Sequence, residues 1–298
     1  MADPTPLQPP ARLLLATDLS VRCDRALDRA VQLAGEWHTA LDIVTVVEPS
    51  AQPDPLAVLS WPPVDDTASR LRLAQHQLER DLQGLTLPAR LHVAYGSAAV
   101  AIGGAAAELD SDLIVVGLAQ KESLGRLLLG STVEQLVRSV PQPVLVVRNR
   151  VHDAYRSVLV ATDFSATSRH ALQTAAALFP AHELILYHAY TLPYASLAEQ
   201  PLVHEAARRA IEDRDAAAFL ADCALADEVR ARLRFVLEGK GLEMALGRYV
   251  RDHDIDLVVL GTQGRTGLMN LLLGSTAARL LGWLACDTLI VRQPRDDS

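Results

Sequence analysis

The sequence is short of most features that would take it out of the ordinary globular class. Among its 298 residues only Cys23, Cys223 and Cys286 are cysteines. They are scattered, odd in number and without CxxC spacing, which argues against a disulfide or zinc framework and for a reducing compartment. No basic run occurs and the net charge is −8. Phosphate backbones call for a basic patch, so no nucleic-acid partner is expected. No apolar run reaches the roughly 18 residues of a membrane span, and no membrane partner is expected. The opening "MADPTPLQPP" lacks the basic and apolar regions of a signal peptide and reads as a flexible tail. The expected setting is soluble and cytoplasmic.

Several motifs of catalysis are also missing. GxxxxGK(S/T), GxGxxG, HExxH, HxxxH and GxSxG do not occur, which removes the standard phosphate loop, the dinucleotide fingerprint, a zinc hydrolase helix and a nucleophile elbow. The cluster Asp252, His253, Asp254 and Asp256 resembles a metal set, but the first half reads "LDSDLIVV" at the matching place, so a polar turn before a buried strand explains it. His182 and His188 read as structural. No catalytic residue is assigned.

What is present is a chain written twice. "RLLLATDLS" at Arg12 is answered by "SVLVATDFS" at Ser157, with Ala16 and Ala161 lying 145 residues apart. "GLAQKESLGRLLLGST" at Gly117 is answered by "GTQGRTGLMNLLLGST" at Gly261, 144 residues on. An offset held over a domain's length indicates duplication. The boundary is placed near Arg148–Tyr155, giving domains 1–150 and 151–298.

Each half carries five short apolar runs: "LLLAT", "LDIVTVV", "RLHVAY", "DLIVVG" and "PVLVVR", then "VLVAT", "LILYHAY", "RLRFVL", "DLVVLG" and "TLIVR". Continuous rather than alternating runs suit parallel strands buried on both faces. Helical periods lie between them; Leu71, Ala74, Leu78, Leu82 and Leu85 fall on one face. The expected fold class is α/β, a doubly wound layer in each half. Glu48–Pro63 and Thr191–Pro201 read as irregular surface loops.

The second-half segment runs Gly261, two residues, Gly264, nine residues, Gly274, Ser275. Gly264 follows a strand, where a glycine accepts positive φ and close approach of another group. Ser275 is expected to cap the next helix, whose N-terminus attracts anions. Arg265 can add a charge-assisted contact to phosphate oxygens. Asp163, at the end of the first strand of this half, would stand at the carboxyl edge of the sheet, where open α/β layers bind ligands. Spacing alone leaves a turn that binds nothing, and an Asp163 that merely bonds its own loop, equally open.

"ATDFS", "GTQGRTGLMNLLLGST" and the closing "TLIVR" resemble the universal stress protein family, and both halves match along nearly their full length. The Gly-x2-Gly-x9-Gly-Ser pattern marks the ATP-binding branch of that family. The resemblance implies flavodoxin-like (adenine-nucleotide-hydrolase-like) five-stranded parallel sheets of order 3-2-1-4-5, paired through their last strands; within one chain that pairing can be intramolecular, and a homodimer stays open. It implies ATP, with Mg²⁺, as the ligand. Ala161, Thr162 and Asp163 would line the ribose and adenine end, and Ala189 would offer backbone groups to the adenine edge. Gly261, Gln263, Gly264, Gly274, Ser275 and Thr276 would hold the phosphates, with no metal ligand beyond Asp163 acting through Mg-ATP.

In the first half Gln120 stands where Gly264 stands, and Glu122 where Thr266 does. A long side chain and a carboxylate there work against a polyphosphate. One competent site is therefore expected, in the second half, on a regulatory stress-response module. A scaffold that binds no nucleotide and a slow ATPase are the alternatives.

Overall fold

The computed structural model describes residues 10–20, 23–49, 67–85, 87–117, 121–123, 126–128, 131–190, 209–239, 242–262 and 274–293. The expected N-terminal tail, except for a buried Pro10, and nearly all of the two irregular loops lie outside them.

The first half runs β1 (Arg12–Thr17), α1 (Asp24–Trp37), β2 (Ala40–Val47), α2 (Thr67–Asp81), β3 (Ala89–Tyr95), α3 (Ala98–Glu108) and β4 (Leu113–Gly117). A small hairpin follows, β5 (Lys121–Ser123) and β6 (Arg126–Leu128), then α4 (Ser131–Ser139) and β7 (Val144–Val147). The second half repeats the order: β8 (Val158–Ala161), α5 (Ala166–Leu178) and β9 (Leu184–Ala189). A π-helical turn, Ile211–Ala216, leads into α6 (Ala217–Ala221), and α7 (Asp227–Ala231), β10 (Arg234–Glu238) and α8 (Leu242–Asp252) follow. The half closes with β11 (Leu257–Gly261), α9 (Ser275–Trp283) and β12 (Asp287–Val291).

All ten apolar runs are strands, and they form one sheet of order β10-β9-β8-β11-β12-β7-β4-β1-β2-β3. Each half is parallel within itself and has the order 3-2-1-4-5, as the resemblance implied. At the middle β12 meets β7 antiparallel, with Leu289 opposite Leu145. That single reversal puts the carboxyl edges of the two halves on opposite rims of the sheet.

Burial follows the strand order. β1, β4, β7, β8, β11 and β12 are buried along their length, whereas the outermost β3 and β10 are only partly covered. On one face a single apolar layer crosses the seam, from Leu13, Leu15 and Leu145 to Val158, Val160 and Leu289, under α1 and α5. Trp37 at the end of α1 and Tyr155 in the connection both meet Phe179 edge to face, at 5.8 and 5.9 Å between ring centroids. The opposite face holds two separate clusters, and α9 leans across the seam so that its Ala277 and Leu281 join the first-half cluster.

One local expectation is revised and two local features are added. α2 buries Leu78, with Leu71 and Ala74 partly covered on the same side, but it ends at Asp81, before Leu82 and Leu85. Gly84 then takes φ +95°, a conformation other residues rarely adopt, which turns the chain toward β3. The segment after β4 contains the β5–β6 hairpin, in which Ser123 pairs with Arg126. α4 opens at Ser131, and Glu134 pairs with Arg138 one turn on.

Candidate functional site

β1 and β8 are each followed by a turn built the same way. In the second half Thr162 is buried; its Oγ1 accepts from Phe164 N at 2.9 Å and shares a hydrogen bond with Ser168 Oγ at 2.9 Å. Asp163 Oδ1 accepts from Ser165 N at 3.1 Å, and Ser165 Oγ accepts from Ser168 N at 3.2 Å, capping α5. These are the short side-chain-to-backbone bonds that Thr, Asp and Ser make in turns. Phe164 takes φ 64°, as Leu19 takes φ 58° in the first half, so both turns fold through the left-handed region without a glycine. His188 holds the turn from β9: its Nδ1 donates to Thr162 O at 2.7 Å and its ring stacks on Phe164 at 4.4 Å. Because a carbonyl only accepts, this bond places the proton on Nδ1.

β8 and β11 are parallel neighbours, Val160 opposite Val259, at the point where the order of the half reverses. β11 ends at Gly261 beside that turn. A Cβ on Gly261 would lie 2.9 Å from Thr167 Cγ2 and 3.2 Å from the Thr167 carbonyl. Here the protein's own helix α5 demands the glycine. Gly117 of the first half is pressed less hard, its nearest neighbour being Cys23 Sγ at 3.2 Å. Cys23 takes the place that Ser168 has in the second half; burial raises its thiol pKa to about 11 and makes it a weak nucleophile. Burial also pushes the Asp18 carboxyl up, but hydrogen bonds from Ser20 and Cys23 outweigh it, and the net position is below the usual carboxylate range.

Thr262 is the residue that the sequence reading missed. Its N donates to Val291 O at 3.0 Å and its O accepts from Gly274 N at 2.8 Å. The second bond closes the glycine segment on itself, fixing the start of α9 to the end of β11. Both bonds are made by the main chain, so neither side-chain type nor spacing singles it out. α9 opens differently from expectation. Gly274, at φ −54° and ψ 142°, is the cap, its O accepting from Ala278 N at 3.0 Å, and Ser275 is the first helical residue. Thr276 is exposed on the first turn.

Of the residues singled out in sequence, the structure brings Ala161, Thr162, Asp163, Gly261, Gly274, Ser275 and Thr276 to one carboxyl rim. Ala189 sits on the same rim at the end of β9, two residues past the Tyr187–Ala161 pair. Gln263, Gly264 and Arg265 lie outside the described residues. Among the described residues no three His, Cys, Asp or Glu side chains gather as a metal set. The acidic run before β11 is a turn, as expected: Asp256 Oδ2 accepts from Arg156 N and Ser157 N at 2.8 and 3.0 Å, while His253 stacks on Tyr249. Asp112 does the same for Ala11 N and Arg12 N in the first half.

A helix start tied to a strand end at a switch point, in a duplicated layer of order 3-2-1-4-5, defines a tandem doubly wound α/β protein. The Universal stress protein family profile matches residues 11–148 and again residues 154–292, and the chain belongs to that family. It is 29% identical over 177 residues to Universal stress protein Slr1230 of Synechocystis, a match that covers 58% of this chain and 55% of that protein. The chain thus spans about half the length of that relative. A universal stress protein of Thermus aquaticus is 28% identical over 140 residues, 46% of this chain and 99% of its own length. Among solved structures, a universal stress protein from Archaeoglobus fulgidus covers 95% of this chain and 99% of its own at 17% identity, with a TM-score of 0.63. A functionally unknown protein from Pseudomonas aeruginosa, PA1789, covers 95% and 92% at 20% identity, with a TM-score of 0.62. No described helix is long and apolar enough to cross a membrane.

Proposed function

We propose that the chain is an adenine-nucleotide-binding regulatory module that takes ATP with Mg²⁺ at the carboxyl rim of its second half, residues 151–298, and that residues 1–150 take it weakly or not at all. The observation that carries this reading is the Gly274 N to Thr262 O bond of 2.8 Å. It holds the positive end of α9 at the switch point between β8 and β11, and a helix start of this kind attracts phosphate. The chemistry of the donor set fits the ligand: a buried Thr162, a carboxylate at Asp163 and backbone groups at Ala189 line one side, and a glycine-bordered helix start lines the other. Mg²⁺ fits as a partner of the phosphates that reaches Asp163 through water, since no described cluster would hold it alone. Gln263, Gly264 and Arg265 complete the proposed phosphate contacts. When bound, the nucleotide supplies a triphosphate whose presence alters the surface of this rim; we assign it no hydrolytic step. Intramolecular pairing through β7 and β12 is the proposed working unit, with a homodimer as its possible higher assembly.

The test is to release and count nucleotides from purified protein, then titrate ATP into the parent and into Gly264→Gln, which copies Gln120. One nucleotide per chain and at least about a tenfold loss of affinity in the variant are expected, about 1.4 kcal/mol. Two nucleotides per chain, or an unchanged affinity, overturn the asymmetry. Several turnovers per second at saturating ATP would move the chain to the enzymes.

A further inference from the structure

A cavity of about 600 Å³ opens at the seam, on the rim opposite the proposed nucleotide site. Its walls come from α1, from the connection after β7, and from the amino ends of β11 and β12 with the end of α8. Neither Asp18 nor Gly117 lines it, so it is distinct from the first half's own carboxyl-edge turn as well. On a chain of net charge −8 it gathers Arg25, Arg29, Arg150, Arg156 and Arg251.

Two of these arginines are set in place by the protein. Arg29 is buried, its guanidinium 3.9 Å over the Tyr155 ring, its Nε 3.5 Å from Asp287 Oδ2, and its Nη1 donating to Asp153 O at 3.1 Å. Arg25 Nη1 donates to Arg148 O at 2.6 Å. Arg150, Arg156 and Arg251 are exposed and make no ion pair among the described residues. Four carboxylates also line the cavity, and two are committed elsewhere. Asp287 accepts from Arg148 N, Asn149 N and Tyr155 Oη, and Asp256 from two backbone N–H groups. The other two, Asp153 and Asp254, are exposed, and five arginines outnumber the four carboxylates of the lining.

The duplication supplies an internal control. His170 and Thr174 occupy the second-half places of Arg25 and Arg29, and Pro143 occupies the first-half place of Asp287. The arginines are therefore not a by-product of the repeated scaffold. Guanidinium groups converging on a concave site favour multiply charged oxyanions through paired, charge-assisted hydrogen bonds, and the volume is that of a small-molecule site.

We propose that this seam cavity binds a small, multiply charged oxyanion, phosphate- or carboxylate-bearing, at a site separate from the nucleotide rim. The experiment is calorimetric titration of the full chain, at low salt, with inorganic pyrophosphate and in a second series with citrate. Three proteins are compared: the parent, Arg150→Ala/Arg251→Ala, and Gly264→Gln. Both replaced arginines are exposed, so the double variant should keep the parent's circular dichroism and thermal midpoint. The expected result is binding of at least one probe by the parent, weakened about tenfold or more in the arginine variant and retained in Gly264→Gln; which probe binds tells phosphate from carboxylate. No heat with either probe, an arginine variant that binds within about twofold of the parent, or a loss confined to Gly264→Gln would overturn the proposal. Because the nucleotide reading is tested by ATP on Gly264→Gln, the two can fail independently.

Discussion

The two halves share the turns that start and end their first and fourth strands and differ in the devices that meet something else. Asp112 and Asp256 tie down the starts of β1 and β8 with the same pair of bonds, and Leu19 and Phe164 pass through the same left-handed turn. Asp110 and Asp254 likewise both take positive φ before β4 and β11. Divergence falls at the seam, where Arg29, Tyr155 and Asp287 have no second-half or first-half equivalents, and along the segment after the fourth strand. There the first half has a hairpin whose β6 lies against α9 of the other half. Duplication thus preserved what the sheet needs mechanically and left the rims free to specialise.

That comparison can be broken most forcefully at Asp287. It is wholly buried and takes three hydrogen bonds besides the Arg29 pairing. Burial and the Asp287 charge hold the Tyr155 hydroxyl well above its ordinary pKa, so it remains a donor. Asp287→Ala leaves Arg29 uncompensated, and a loss of about 3–5 kcal/mol in urea unfolding is expected. A loss below about 1 kcal/mol would show that the seam does not depend on this cluster.

Gly261→Ala sharpens the contrast at the site itself. Its Cβ would press on the Thr167 backbone, and overpacking of that kind costs about 1–3 kcal/mol. Gly117→Ala meets a side-chain sulfur at a looser 3.2 Å and should cost less. Equal losses would contradict the tighter packing of α5.

The base of each half offers a smaller test. Asp256→Ala and Asp112→Ala each remove a carboxylate from two backbone N–H groups, and each is expected to lose about 1 kcal/mol, as at a helix cap. The more exposed Asp112 should lose the less. A large difference in the other direction would show that the halves are not held alike.

The smallest effect is on pH. Burial lowers the pKa of His170 below its ordinary 6.5. The unfolded chain then binds the proton more readily, so stability is full above the unfolded pKa and declines as pH falls below it. His170→Gln should flatten the fall of the thermal midpoint between neutral and mildly acidic pH, while the Arg25 place in the first half has no such group to titrate. An unaltered slope would remove His170 from the account.

How much was legible beforehand differs by residue. The ten strands were readable because buried parallel strands need continuous apolar runs, and the repeat was readable as a fixed offset. Asp163 and the glycines were readable as types that turns and helix starts require. Thr262 was not, since its role lies in main-chain bonds to Val291 and Gly274, which any residue but proline could make in sequence terms. The true cap of α9 was missed by one position because Ser275 is the better capping residue by type, yet the closing bond to Thr262 fixes Gly274 there instead.

Taken alone, the sequence determined the doubled α/β layer, since strand and helix periods are local and survive without knowledge of neighbours. Only tertiary structure decided where the halves meet and what gathers there. Asp287, Arg29 and Tyr155 are separated by more than a hundred residues of chain, and nothing in their local patterns brings them together. The antiparallel approach of β7 and β12 does so, by setting the first half's helix over the second half's amino edge and burying charges that must then find one another.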